Sequence, residues 1–272
     1  MSKLSSEWRA FLERRLVRGA KPAGLNMWQE AFCRWTAEQS GIDLDRSFER
    51  FNVSWAALKG GHRGRQFKLF CELHHDLLRP FVDNRPEEIH RAYVTHSHLH
   101  FLRMLSYDIP QWPAHIPELA PVFKNSSLSI VDFGCGLAQV SISLALFLRE
   151  KGCSPELFLA DIPVPQLQFL RWFCRQLKLP ATLAECTTST PVPPLPACDL
   201  LVATELFEHL HDPLRYLAAF GEAIKPGCFL LTNIGDHTSE FLHVTPDLAS
   251  LREYLRQRGW RELRSNRIFQ KP

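Results

Sequence analysis

The sequence predicts an α/β fold, a parallel β-sheet with helices on both faces, preceded by an all-helical region. Three observations carry that prediction. From residue 127 onward, short apolar runs alternate with helix-length segments. Before about residue 110 no strand pattern occurs. Between the first apolar run and the helix after it lie two glycines one residue apart, Gly134 and Gly136.

In chain order, SSEWRAFLERRLVRG, NMWQEAFCRWTAEQSG, QFKLFCELHHDLLRPFV and PEEIHRAYVTHSHLHFLRML read as helices. The last has Asn84 as N-cap, with Pro86, Glu87 and Glu88 in its first turn, each favourable at a helix start. The segment YDIPQWPAHIPELAPVFKNSS, with four prolines and no stable period, reads as a connection. Strands follow at 127–133 (SLSIVDF), 156–161 (ELFLAD), 181–186 (ATLAEC), 198–204 (CDLLVAT) and 228–234 (CFLLTNI). Helices at 139–151, 164–178 and 212–224 alternate with them. Strands apolar without a break are those covered on both faces, joined by right-handed crossovers. LASLREYLRQRGW then forms a helix, and a short hairpin around Asn266 ends the sequence. The division is therefore a helical region over 1–125 and an α/β domain over 126–272.

Composition narrows the partners. At 45% hydrophobic and 22% charged residues, the sequence is that of an ordinary soluble protein. A net charge of +3 gives no nucleic-acid surface, and the basic run HRGRQFK at 62–68 reads as a solvated face. Cys33, Cys71, Cys135, Cys153, Cys174, Cys186, Cys198 and Cys228 form no CxxC pair and behave as small apolar residues. The start is charged and amphipathic, and no apolar run reaches the ~18–20 residues that span a bilayer. The expectation is a cytoplasmic protein with no membrane partner; a homodimer stays open.

The glycine turn reads Gly134-Cys135-Gly136-Leu137-Ala138-Gln139. A dinucleotide fold asks for a third glycine where Gln139 stands, and a P-loop asks for Gly-Lys-Ser/Thr, which is absent. Asp132 sits two residues before the turn, and Asp161 ends the next strand.

The pattern Asp-x-Gly-x-Gly-x-Ala over 132–138 resembles motif I of the class I S-adenosylmethionine-dependent methyltransferases. LFLADIPVPQ, AECTTS, ATELFEHLHDPLRYL and AIKPGCFLLT resemble that family's further segments in their usual order. The resemblance covers 127 to about 270. It implies a seven-stranded Rossmann-like sheet with helices on both faces, the last strand antiparallel, and S-adenosylmethionine as cofactor. It also implies that Asp132, Gly134, Cys135, Gly136, Gln139, Asp161, Ile162, Glu185, Cys186 and Thr204 bind that cofactor. Asp132 takes the ammonium, Asp161 the ribose hydroxyls, Ile162 the adenine face, and Glu185 and Cys186 the adenine edge. Glycines without a Cβ let the loop pass close to the ligand. Structural roles stay open beside these, Asp132 as a buried cap and Asp161 as a helix N-cap.

Glu205, Glu208 and His209 of the E-x-x-E-H element are the catalytic candidates, His209 as general base, with loop orientation as their alternative role. Tyr93, His96 and His100 share a helix face and are candidates for the acceptor side. His96, His98 and His100 do not complete a metal set, so no metal is expected. Trp28, Trp35 and Trp55 are either core filler or neighbours of the sulfonium.

The fourth-strand tip is Thr204-Glu205-Leu206-Phe207 rather than the Asn/Asp-Pro-Pro-Tyr/Phe element of base and amide N-methylating enzymes. The expected function is O- or N-methylation of a small molecule, as in secondary metabolism. The helical region would build the acceptor pocket, and no nucleic acid would be a partner. Three alternatives stand beside it: cyclisation of the cofactor to azetidine-2-carboxylate with release of methylthioadenosine, cofactor binding without catalysis, and an NAD oxidoreductase.

Overall fold

A computed structural model describes residues 6–7, 10–11, 25–59, 85–95, 97, 101, 104–105, 118–119, 127–236 and 243–272. The side chains of Pro86 and of residues 52–59 are not among them. The expected helix over 66–82, the Asn84 cap, and most of the helix over 5–19 lie outside the described residues.

Helices α1 (Met27–Ser40), α2 (Leu44–Lys59) and α3 (Pro86–Thr95) precede the sheet. Asn26 opens α1 through a capping box: its side chain accepts from the Gln29 N–H, and the Gln29 side chain accepts from the Asn26 N–H, both at 3.0 Å. Gly41, at φ +65°, closes it in the left-handed conformation that glycine tolerates. The α2 helix is absent from the sequence expectation. Its sequence LDRSFERFNVSWAALK does carry a helical stripe, Leu44, Phe48, Phe51, Trp55 and Leu58 at alternating spacings of four and three. Its start is carried by Asp43, whose side chain accepts from the Asp45 and Arg46 N–H groups.

The α/β part runs β1 (Ser127–Phe133), α4 (Gln139–Glu150), β2 (Ser154–Asp161), α5 (Pro165–Leu177), β3 (Ala181–Glu185), β4 (Cys198–Ala203), α6 (Pro213–Ala223), β5 (Ile224–Thr232), α7 (Ala249–Gln257), β6 (Arg261–Arg264) and β7 (Ile268–Gln270). The seven-stranded sheet has the order β3-β2-β1-β4-β5-β7-β6, with β7 antiparallel to both of its neighbours. This is the seven-stranded class I arrangement that the resemblance implied. The largest boundary shift is at β5, which runs Ile224–Thr232 rather than 228–234 and takes Lys225-Pro226-Gly227 into the strand; β2, β3 and β4 differ from expectation by one or two residues at one end.

Alternation along the central strands sends side chains to two cores. Ile130, Leu200 and Val202 join Phe147 of α4 and Phe169 of α5 on one face. Val131, Leu201 and Ala203 join Phe220 of α6 and Leu251 of α7 on the other. Helix α1 adds a third layer to the first face, where Trp28 meets Phe173 edge-on at 6.0 Å and Trp35 meets Phe169 at 5.7 Å. The Trp172 indole N–H donates to Glu38 at 2.6 Å, joining α5 to α1. Helices α1 and α2 therefore share a core with the sheet, whereas Ile89 and Ala92 of α3 form a separate small cluster with Val244. The seven described cysteines are all free, and six of them are buried.

Strand order reverses between β1 and β4, so crossovers diverge from the carboxyl ends of these two strands and leave a crevice there. Ligands of open α/β sheets occupy such crevices. The carboxyl end of β1 carries Gly134, and that of β4 carries Thr204 and Glu205.

Candidate active site

The loop after β1 is built from three left-handed residues at alternate positions: Gly134 at φ +66°, Gly136 at +53° and Ala138 at +49°. Gly134 and Cys135 donate their N–H groups to the Ala160 carbonyl at 2.8 and 3.2 Å, tying the loop to β2. A Cβ on Gly134 would lie 2.8 Å from Leu206 Cδ1, and one on Gly136 2.6 Å from Met104 Sδ. Both glycines are required by backbone handedness, and a Cβ at either would also force the Leu206 or Met104 side chain to shift.

Asp161, at the end of β2, fastens the loop. Its Oδ2 accepts the Gly136 N–H at 2.6 Å, and its Oδ1 accepts the N–H of Ile162 at 2.7 Å. Each oxygen retains a lone pair for a further donor. Burial pushes the Asp161 carboxyl up to about 6, against the pull of those two backbone donors. Asp132 is only 4% exposed and accepts from Ser141 Oγ at 2.5 Å. Its carboxyl is pushed up to about 7, first by burial; the Ser141 hydrogen bond opposes this and the neighbouring Asp161 adds to it. Two acidic groups held this far above the carboxylate range favour a cation or hydroxyl donors beside them.

The remaining residues expected at the cofactor divide by exposure. Cys135 and Cys186 are buried; burial pushes the Cys135 thiol well above its ordinary value and the Cys186 thiol up to about 12. Their side chains pack in the two cores, Cys135 in the first and Cys186 in the second. Cys186 donates its N–H to the Asp161 carbonyl at 2.7 Å. Ile162 and Thr204 are half-buried, and Glu185 is exposed. The Gln139 amide is turned to the Met104 carbonyl at 3.3 Å. Trp28 is fully buried, its indole N–H donating to the Leu137 carbonyl at 3.0 Å, so it braces the glycine loop from α1. Trp35 is ring-packed among Phe32, Phe101 and Phe169.

At the tip of β4, Glu205 adopts φ +51°. Its N–H donates to Asn233 Oδ1 at 2.7 Å, and the Asn233 amide donates back to Glu205 Oε1. A single 3₁₀ turn, Phe207–His209, follows, anchored by Phe207 against Phe220 in the second core. The turn buries the Glu208 side chain completely and leaves His209 24% exposed. The hydroxyl of Tyr93, from α3, lies 2.8 Å from His209 Nδ1. Residues 243–245 clamp onto the same turn. Val244 and Thr245 donate their N–H groups to the Glu208 carbonyl at 2.8 and 3.0 Å, and Thr245 Oγ1 donates to the Leu210 carbonyl at 2.6 Å. That clamp sets the His243 ring edge-on to His209, with centroids 4.8 Å apart.

Of the catalytic candidates, Tyr93, Glu208 and His209 are brought together, while Glu205 is engaged with Asn233. His96 and His100 lie outside the described residues, as does the Trp55 side chain. Asn233, His243 and Met104 were not expected at the site. Asn233 had a signal as a polar residue at the carboxyl end of the fifth apolar run; His243, in FLHV, had none.

The profile of the methyltransferase domain family matches residues 104–268. Over 97 residues the chain is 32% identical to the ribosomal RNA small subunit methyltransferase G of Bartonella tribocorum, a match covering 35% of this chain and 45% of that relative. Among solved structures it is similar to TehB from Haemophilus influenzae, at 17% identity and a TM-score of 0.46 over 58% of this chain and 62% of that one. It is similar also to an S-adenosylmethionine-dependent methyltransferase from Aquifex aeolicus, at 17% identity and a TM-score of 0.41 over 57% and 86%.

Proposed function

We propose, since this chain belongs to the methyltransferase domain family, that it methylates a small molecule on oxygen or nitrogen. The observation that carries this reading is the junction of Asp161 with the Gly136 N–H at the crevice between β1 and β4. S-adenosylmethionine, the cofactor of that family, is rich in what such a junction takes: an ammonium, a sulfonium and two ribose hydroxyls, and no phosphate.

The residues present fit it. Asp132 and Asp161 are both held above the usual carboxylate range, and glycines stand where a Cβ would intrude. Asp161 would receive the sugar hydroxyls on its remaining lone pairs, and Asp132 the ammonium. Ile162 would cover the base, while the backbone of 134–136 lies alongside. When bound, the cofactor supplies an electrophilic methyl group on a cationic sulfur.

The protein's part is orientation, exclusion of water and handling of the acceptor's proton. Leu206 lies against Gly134 and Met104 against Gly136, leaving both glycines half-buried. His209, with the Tyr93 hydroxyl at its Nδ1 and Glu208 buried beside it, would form the polar end of the crevice, where a hydroxyl or amine would be received. The N-terminal helices supply Tyr93, Trp28 and Met104 to this region, which supports an enclosed pocket for a small acceptor. The net charge of +3 supports the same choice over a nucleic acid.

The test is mass spectrometry of products from the full-length protein with S-adenosylmethionine, first alone and then with a small-metabolite extract. S-adenosylhomocysteine and a methylated product that appear only with extract are the expected result. Methylthioadenosine from the cofactor alone would replace methyl transfer by cyclisation. Absence of calorimetric heat with either S-adenosylmethionine or S-adenosylhomocysteine would overturn the reading.

A further inference from the structure

One carboxylate and two imidazoles converge at the 3₁₀ turn that follows β4. A ligand atom from each of Glu208, His209 and His243 lies within 4.8 Å of the others. His209 Nε2 is 3.9 Å from Glu208 Oε1. We infer that these three residues bind one divalent transition-metal ion, zinc or its first-row neighbours, in the part of the crevice that receives the methyl acceptor. The assignment of that role rests on the methyl-transfer reading, whereas ion binding itself does not.

Three features carry the inference. Glu208 is fully buried, and a carboxylate taken out of water is retained where a cation compensates it or a metal is ligated. His209 is oriented as a ligand: its Nδ1 is engaged at 2.8 Å by the Tyr93 hydroxyl, which turns Nε2 toward Glu208. Metal-bound histidines are held in this way, the other ring nitrogen donating to an outer partner that sets tautomer and ring angle. The third donor is delivered by backbone, because the bonds from Val244 and Thr245 to the Glu208 carbonyl fix residue 243 against the turn.

Bonds of ~2.0–2.2 Å place neighbouring ligands of a tetrahedral ion roughly 3.3–3.5 Å apart. The observed spacings need closing by up to about 1.5 Å, within reach of rotation of two half-buried imidazoles. Two imidazoles and one carboxylate suit zinc, iron or manganese better than magnesium or calcium, and leave coordination positions open. An acceptor hydroxyl entering an open position would have its pKa lowered by the ion, its proton leaving to water.

The experiment strips full-length protein with a chelator and titrates it with Co²⁺, followed by visible spectroscopy, and with Zn²⁺, followed by calorimetry. Wild type is expected to take up one ion per chain, with no thiolate-to-cobalt absorption of the kind a cysteine site gives. His243→Ala and Glu208→Gln should each weaken uptake by about 100-fold. S-adenosylhomocysteine affinity, measured on the same samples, should stay unchanged in His243→Ala and so report an intact fold. Wild type taking up no ion tighter than millimolar, or His243→Ala taking it up as wild type does, overturns the inference. Cobalt uptake without S-adenosylhomocysteine binding would sink the methyl-transfer reading and leave the ion site standing; the reverse pattern would do the opposite.

Discussion

The two sides of the crevice are held together by different means. On the β1–β2 side, the glycine loop and Asp161 are joined by main-chain donors from residues close to the strand ends: Gly134, Cys135, Gly136 and Ile162. On the β4 side, Glu208 and His209 depend on partners from far away in the chain, Tyr93 from α3 and residues 243–245 from the connection to α7. The first side is a rigid consequence of the sheet. The second is assembled only when three separate segments have docked, so it belongs to the part of the molecule whose local stability is lower and whose chemistry is easier to change.

Mutations can separate these sides, and the largest effect is expected at Asp161. Replacing it with alanine removes the acceptor for two backbone N–H groups and, on the proposed reading, for the ribose, so S-adenosylhomocysteine affinity should fall by about 100-fold or more by calorimetry, with metal uptake unchanged. Equal loss of both would mean that the sides are not independent. Gly136→Val comes next. A β-branched residue at φ +53°, with a Cβ 2.6 Å from Met104 Sδ, should cost about 2–3 kcal/mol in denaturant unfolding. On the β4 side, Tyr93→Phe should lower turnover about tenfold while leaving S-adenosylhomocysteine affinity intact, because only the orientation of His209 is lost. A parallel loss of cofactor affinity would place Tyr93 on the other side of the comparison. The smallest effect is that of Trp28→Phe, which deletes one bond to Leu137 and keeps most of the packing, at about 1–2 kcal/mol of stability.

Acidity sharpens the same contrast. Asp132 and Asp161 titrate at about 7 and about 6 in the folded chain, above the ~3.9 of an unfolded one. The folded state therefore holds these protons more tightly. Stability of the unliganded protein should fall as pH rises from about 4 through about 7. Cofactor binding prefers the ionised carboxylates, so S-adenosylhomocysteine affinity should weaken as pH drops below about 7, with protons released on binding near pH 6. Calorimetry in buffers of differing ionisation enthalpy would measure that release, and a flat profile would mean that neither carboxyl meets the ligand.

Legibility in the sequence followed the same division. Strands β1 to β4 were readable to within two residues because continuous apolar runs report burial on both faces directly, and the glycine turn with Asp161 is a local pattern. The start of β5 was not, since Lys225-Pro226-Gly227 reads as a stop, yet the Gly227 N–H is paired to the Lys271 carbonyl across the terminal strands. Helix α2 was legible in its stripe of Leu44, Phe48, Phe51, Trp55 and Leu58, yet is absent from the sequence expectation; its docking is tertiary, Ser47 Oγ donating to the Cys33 carbonyl and Phe51 packing against Phe32. Tyr93, Glu208 and His209 were recognisable by residue type, but nothing linear joins Tyr93 to His209 across 116 positions. His243 was invisible for the same reason, its place being determined by the two amides that follow it.

Those amides have an evolutionary corollary. The strap at 243–245 is attached to the 3₁₀ turn chiefly by main-chain donors, and the Thr245 hydroxyl adds a contact that His243 does not share. Position 243 can therefore be exchanged in a descendant or a library without dislodging the strap, offering an imidazole, a carboxylate or an apolar group at one fixed point in space. A scaffold wired in this manner can diversify what it modifies through single codon changes, while the adenosyl-binding half is inherited unaltered.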